Sequence, residues 1–203
     1  MEPYWWLPVL FAYFLGAIPF GYLIGKHIYG VDVRKKGSGN TGATNVYRVL
    51  GAKAGGLTFL LDACKGFIPV IIARMFFADP KVWALTGAAA VVGHIFSIYL
   101  KFRGGKGMST SFGVGLALCP ICALCGFITW LAVTSITNYV SLASILGFLF
   151  GAVCAYFLAP MPITLTFLFM FLLILFAHRS NVVRLINGTE RKTRMPWQKK
   201  EDV

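Results

Sequence analysis

Three stretches of this sequence carry the residue types that hold phosphate groups. In "RKKGSGNTGATNVYR", Arg34 to Arg48, glycines stand at 37, 39 and 42. Glycines so spaced let successive backbone N–H groups point into one concavity. Ser38, Asn40, Thr41, Thr44 and Asn45 add neutral donors, and Arg48 adds a fixed cationic fork. A plain turn-rich loop would also collect Gly, Ser and Asn, so it is the donor density beside Arg48 that points to an anion. The second stretch is "GHIFSIYLKFRGGKG", Gly93 to Gly107. A P-loop needs glycine six residues before the lysine and Ser or Thr after it. Leu100 and Gly107 occupy those positions, which leaves Lys106 on a glycine turn as a point charge for phosphate. The third is "HRSNVVRLINGTE", His178 to Glu190. His178, Asn181 and Arg184 are three residues apart and share one stripe if the segment is helical, with "NGTE" as the helix stop. A basic juxtamembrane helix touching anionic lipid would explain the arginines, but it does not call for the histidine and asparagine.

The elements that must position these groups are apolar. The chain has 203 residues, 58% hydrophobic and 13% charged, with a mean hydropathy of +0.74. Charged residues in soluble domains run near a quarter of the total, and one soluble core of this length could not hide so much apolar surface. Several runs reach the roughly 20 residues that cross a bilayer as helix. The net charge of +12 is concentrated: 16 of the 19 Lys and Arg fall in residues 26–53, 101–106 and 179–200. The positive-inside rule puts these segments on the cytoplasmic side, so the charge is no evidence for a nucleic-acid partner. The first apolar stretch follows Glu2 and reads as a retained span that leaves the N-terminus outside, not as a signal peptide.

Apolar segments run from about 4–25, 55–78, 82–100, 109–133, 137–159 and 161–177. Starting outside, three spans deliver residues 34 and 103 to the inside. An even number of crossings must then lie between 109 and 177: two plus a re-entrant piece, or four short or tilted ones. "TSITNYVS", Thr134 to Ser141, and "APMP", 159–162, interrupt the pattern. Non-helical backbone at membrane depth must be buried or face a cavity, which expects polar groups inside the bundle near Ser135, Asn138 and Ser141. His94 lies seven residues before Lys101, about 10 Å deeper on a helix. An intramembrane histidine is a functional candidate, the other reading being a structural hydrogen bond. Asp62 and Lys65, three apart in a span, are positioned to pair.

Other patterns weigh less. "HIYGVD" gives His27 and Asp32 an H-x4-D spacing, which resembles a different group of glycerolipid acyltransferases built on a soluble α/β domain absent here. "CPICALC" resembles part of an iron–sulfur ligand run, yet it lies among Leu, Ala and Ile. Small, soft residues at helix contacts explain Cys119, Cys122 and Cys125, and no disulfide is implied. No metal-ligand constellation or cofactor site is expected. A carrier for small phosphorylated metabolites, or a non-catalytic lipid-binding protein, would also use basic residues, but no internal repeat supports a carrier.

"SGNTGATNVYR", "GHIFSIYLKFRGGKG" and "HRSNVVRLINGTE", in this order and spacing, resemble the three motifs of the bacterial acyl-phosphate:glycerol-3-phosphate acyltransferases. The resemblance covers almost the whole chain. It implies an all-α integral membrane protein, a compact bundle of about seven transmembrane helices, some short or tilted. Residues 1–203 would form a single polytopic domain in the bacterial inner membrane, with polar segments at about 26–54, 101–108 and 178–203 facing the cytoplasm. The implied reaction moves an acyl group from acyl phosphate to the 1-hydroxyl of glycerol 3-phosphate, giving lysophosphatidic acid and phosphate. It needs no cofactor, and it implies a functional link to the enzyme that supplies acyl phosphate. Ser38, Gly39, Asn40, Thr41, Gly42 and Asn45 are assigned to substrate, mainly the acyl phosphate. Arg48, Lys106, Ser141, His178 and Asn181 are assigned to glycerol 3-phosphate, with His94 nearby. Ser38, His178 and Asn181 are the catalytic candidates, His178 and the acyl phosphate's own oxygen being rival bases. No G-x-S-x-G elbow or triad is present, in keeping with direct transfer.

Overall fold

The computed structural model describes residues 3–193. The distal basic tail, with Arg194, Lys199 and Lys200, lies outside the described residues, as does Glu2. Among the described residues the regular elements are all helical. The long ones are α1 (Trp6–Ala17), α4 (Ala52–Phe76), α5 (Pro80–Ile95), α7 (Pro120–Thr137), α8 (Val140–Leu158) and α9 (Met161–Ala177). Shorter helices are α2 (Phe20–Leu23), α3 (Ala43–Leu50), α6 (Met108–Leu118) and α10 (Arg179–Ile186).

Among the described residues, five helical segments are long and apolar enough to cross a membrane, and α9 joins them as a sixth when taken with α10 across a 62° bend. The stretch from 108 to 177 holds four helices, α6 to α9. α6, with 11 residues, is about 16 Å long and reaches through only half of a hydrocarbon core of about 30 Å. The apolar segment read as one unit from 109 to 133 is therefore two helices. They meet at Cys119, and Pro120 opens α7, a position where its missing N–H costs nothing. Cys119 and Cys122 are joined as a disulfide across this corner. The sequence implied no disulfide and left the role of these cysteines open; one helical turn separates the two residues, and the turn at the corner brings their sulfurs together.

Small residues let the helices touch backbone to backbone, as helices in lipid do when no hydrophobic effect drives them together. A Cβ on Gly16 would lie 2.1 Å from the Ala90 carbonyl, and one on Gly93 would lie 2.2 Å from that of Tyr13. α1 and α5 are locked together in this way. Gly66 and Gly113 do the same for α4 and α6, at 2.2 Å and 2.0 Å from the carbonyls of Thr110 and Ala63. Phe167, Met170 and Ile174 of α9 fill the centre, each at most 1% exposed. Phe157, Leu172 and Phe176 face outward, as a lipid-facing surface requires.

The first span breaks at Ile18 and Pro19, because proline cannot donate to the helix ladder. The freed carbonyls find side chains: Ser97 Oγ donates to Ala17 O and Lys65 Nζ to Ile18 O, both at 2.6 Å. Lys65 is in turn 2.7 Å from Asp62 Oδ1, the pairing that their spacing foretold. In hydrocarbon, every backbone polar group must be satisfied inside the protein.

Candidate active site

A cavity of about 320 Å³ opens where α3, the turn before α6, the α7–α8 turn and the α9–α10 bend come together. Its size is that of a small-molecule site. Ser38, Asn40, Gly42, Asn45 and Arg48 line it from the first polar stretch, and His94 and Lys106 from the second. Ser141, His178 and Asn181 complete the expected set on the wall. Three stretches separated by up to 140 residues thus face one space.

The first stretch is organised around Asn45, a buried side chain. Its Nδ2 donates to the carbonyls of Val33, Lys36 and Asn40 at 3.0, 3.2 and 2.8 Å. Its Oδ1 accepts from the Ser38 N–H at 2.7 Å. A Cβ on Gly37 would fall 2.3 Å from that oxygen, and Gly37 and Gly39 have positive φ, so glycine is required where the loop wraps this amide. The N–H of Gly39 goes to Lys36 O at 3.0 Å, and that of Gly42 to Asn40 Oδ1 at 2.8 Å. These backbone donors shape the loop. The groups turned to the cavity are the first turn of α3, at Gly42, Ala43 and Thr44, where a helix N-terminus offers N–H groups to an anion. Gly39 and Thr41 do not line the cavity; the Thr41 backbone packs on Gly21 instead.

Lys106 is set by the two glycines before it. Gly104 and Gly105 donate to the carbonyls of Ile95 and His94 at 3.0 and 3.1 Å, and a Cβ on Gly105 would sit 2.1 Å from His94 Nε2. His94 Nδ1 lies 3.0 Å from Thr110 Oγ1, so this histidine lines the cavity and also anchors both sides of the lysine turn. Burial lowers the Lys106 ammonium to about 8, with Glu190 opposing the shift and Arg184 and Arg48 adding to it. Lys106 donates to Asn181 Oδ1.

The third stretch closes the site. The chain bends at His178, which is buried. Its Nδ1 is 2.8 Å from the Ile174 carbonyl. A ring donating there carries its proton on Nδ1 when neutral and presents Nε2 as an acceptor. The restart of helix at Arg179 turns Asn181 inward, and its Nδ2 donates to Glu190 Oε1 at 2.6 Å. Ser141 Oγ donates to the same oxygen at 2.8 Å, and Arg184 Nε to Oε2 at 2.7 Å. Burial works to raise the Glu190 carboxyl, but these three donors hold it below its ordinary value. Arg48 donates to Thr193 Oγ1, and the Thr193 N–H to Asn138 O at 2.8 Å.

Glu190 and Thr193 are the contributors that sequence reading missed. Glu190 had a signal: it is the lone acid in a tail stretch that carries Arg179, Arg184, Arg191 and Lys192. Ser135 faces outward while its neighbour Thr134 turns inward, and Asn138 and Ser141 are buried as expected. His27 is exposed and does not line the cavity. Asp32 is taken up by Arg34, whose side-chain hydrogen bond holds the carboxyl at about 2. On the apolar side of the cavity, Phe127 and Trp130 stack at 5.7 Å between ring centroids, and Phe59 continues the wall.

The family model described as "Glycerol-3-phosphate acyltransferase" matches residues 6–188. A glycerol-3-phosphate acyltransferase of Thermotoga petrophila is 44% identical over 191 residues, covering 94% of this chain and 97% of that relative. The crystal structure of PlsY (YgiH), an integral membrane glycerol 3-phosphate acyltransferase, in its glycerol 3-phosphate form is 42% identical, with a TM-score of 0.89 over 94% of this chain and 96% of that one. Its lysophosphatidic acid form superposes with a TM-score of 0.88 at 41% identity, over 94% and 95% of the two chains. With the family model spanning nearly the whole membrane bundle, this chain belongs to the glycerol-3-phosphate acyltransferase family.

Proposed function

We propose that the protein acylates the 1-hydroxyl of glycerol 3-phosphate directly from acyl phosphate, giving lysophosphatidic acid and phosphate. The observation that carries this reading is one cavity with two chemistries. Its polar end gathers Arg48, Lys106, Ser141, His178 and Asn181, and its other wall is aromatic. A phosphorylated polar acceptor fits the first and an acyl chain the second. Both substrates carry phosphate, which accounts for two separate anion-binding elements: the α3 N-terminus with Ser38 and Asn40, and the Arg48–Lys106 end.

In the reaction the 1-hydroxyl oxygen attacks the acyl carbonyl. The new ester C–O bond forms, the bond between carbonyl carbon and phosphate oxygen breaks, and phosphate leaves. The first turn of α3 is assigned to the leaving phosphate and the developing oxyanion. Orientation of two bound substrates supplies much of the rate. The attacking proton goes either to His178 Nε2 or to the departing phosphate, a good enough leaving group that no acyl-enzyme is needed. His178→Ala separates these: a rise in KM with kcat held excludes the general base. The site faces the cytoplasm in this reading, the N-terminus lies outside, and the single domain resides in the inner membrane beside an enzyme that makes acyl phosphate.

The test uses purified protein in vesicles with labelled glycerol 3-phosphate and either palmitoyl phosphate or palmitoyl-CoA. Lysophosphatidic acid from the acyl phosphate alone is expected. Product from the CoA ester alone would overturn the donor assignment, and label trapped inside sealed vesicles without product would make the protein a carrier.

A further inference from the structure

Of the buried serines on the cavity wall, Ser141 donates to Glu190 and Ser144 to the Val140 carbonyl, both at 2.8 Å. The third, Ser109, is only 8% exposed, yet its hydroxyl has no hydrogen-bond partner among the described residues. A buried hydroxyl without a partner costs free energy, and one that faces a binding cavity is open to what binds there. Ser109 also stands at a helix start. Gly107 caps α6 and brings no side-chain hydrogen bond to it, and the first backbone bond of the helix runs from the Ser111 N–H to Gly107 O at 2.8 Å. The N–H groups ahead of Ser111 are therefore left for other acceptors, at the positive end of the helix dipole. Gly107, Met108 and Ser109 bring this turn onto the cavity wall, as Gly42, Ala43 and Thr44 bring that of α3. Lys106, three residues before Ser109, belongs to the phosphate-binding end. Met108, beside Ser109, joins Phe127 in walling an apolar void of about 20 Å³ behind the cavity. Ser109 thus lies on the seam between the polar and apolar halves of the site.

We propose that the Ser109 hydroxyl is a catalytic donor that, with the first-turn N–H groups of α6, hydrogen-bonds the acyl carbonyl oxygen as it becomes the tetrahedral oxyanion, sharing that charge with the first turn of α3. The proposal deepens the acyl-transfer reading above and rests on it. An acyl donor has its chain on one side of the carbonyl and its leaving group on the other, so the reacting carbonyl sits where the two chemistries of the cavity meet. When the acceptor oxygen attacks, the C=O π electrons move onto the carbonyl oxygen. They return when the bond to the leaving phosphate breaks, and Ser109 keeps its proton throughout. A donor aimed at charge that exists only in the transition state acts on kcat and leaves KM alone.

Ser109→Ala, Ser109→Cys and Ser109→Thr are compared with wild type as full-length protein in vesicles. The readouts are kcat, KM for each substrate and inhibition by hexadecyl phosphate, which has the donor's chain and phosphate but no carbonyl. Ser109→Ala and Ser109→Cys are expected to lower kcat roughly 10- to 100-fold, short of the loss of a sole donor because the N–H groups remain. Both KM values and the inhibition constant should stay within about twofold, and Ser109→Thr, which keeps the hydroxyl, should restore most of kcat. A thiol fills the space of the hydroxyl but donates weakly, so Ser109→Cys decides the matter if Ser109→Ala does not fold. An unchanged kcat in Ser109→Cys overturns the proposal. An inhibition constant that rises with KM while kcat holds also overturns it, because Ser109 is then a phosphate ligand. Should palmitoyl-CoA prove the only donor, the acyl-phosphate reading fails. The Ser109 comparison is then made with the thioester, which presents the same carbonyl.

Discussion

Asp62, Lys65 and His94 sit among apolar helices at 1%, 2% and 6% exposure, and Lys106, Asn181 and Glu190 line the cavity from the segments that follow α5 and α9. Both clusters combine an acid, a lysine and a neutral hydrogen-bonding partner. In the first, Lys65 is committed to Asp62 and to the broken end of α1, and His94 to Thr110 and, through its carbonyl, to Gly105. In the second, the bonds run between side chains, tying Lys106, Ser141 and Asn181 to one another and to Glu190. The lesson is that composition does not separate a fastening from a site. What separates them is whether the hydrogen bonds close on the protein's own backbone or on side chains that can be exchanged for a ligand.

Breaking the inner cluster should cost the most. Lys65→Met leaves the Asp62 carboxylate alone at membrane depth and the Ile18 carbonyl unsatisfied. A loss on the order of 3–5 kcal/mol in stability is expected, read as thermal unfolding in detergent, with much of it regained in Lys65→Met/Asp62→Asn. Full stability in the single variant would erase the distinction between the clusters. The outer cluster should instead respond in activity. Lys106→Ala should lower kcat/KM for glycerol 3-phosphate on the order of 100-fold, as truncating a buried charge against its partner does, with little change in unfolding temperature. In wild type the sign of the pH effect follows from burial. The lysine loses its proton near 8, and the cation is the phosphate-binding form. kcat/KM should therefore hold below pH 8 and fall about tenfold per unit above it. A flat profile through pH 9 would remove Lys106 from the site. The smallest effect joins the two clusters: Gly105→Ala forces a methyl against His94. A shifted turn should cost about tenfold in kcat/KM for glycerol 3-phosphate by misplacing Lys106, measured at a saturating level of the acyl donor.

Much of this arrangement was readable beforehand because each of the three polar stretches stands out against apolar surroundings. Charge placement put all three at one end, and residues from each of them do line one cavity. The break at Cys119 was hidden, since apolar residues on both sides leave hydropathy nothing to detect, and with it the Cys119–Cys122 pairing. Asn45 was read as a donor for substrate, although its amide is consumed by the loop. An asparagine that organises a turn and one that binds an anion have the same neighbours in sequence. Glu190 was hidden by position, a residue after a helix stop whose partner Ser141 lies 49 residues upstream.

The bend at His178 has a consequence for how the protein is made. The cavity's wall runs from Ser38 to Glu190, and everything from His178 onward is synthesised after the last apolar helix. Ribosomes deliver the Arg48 and Lys106 cations first and their counterpart carboxylate last. A chain released early would carry Arg48, Lys106 and His94 but lack His178, Asn181 and Glu190. The cavity's wall is therefore complete only after the segment that follows the last apolar helix has been made.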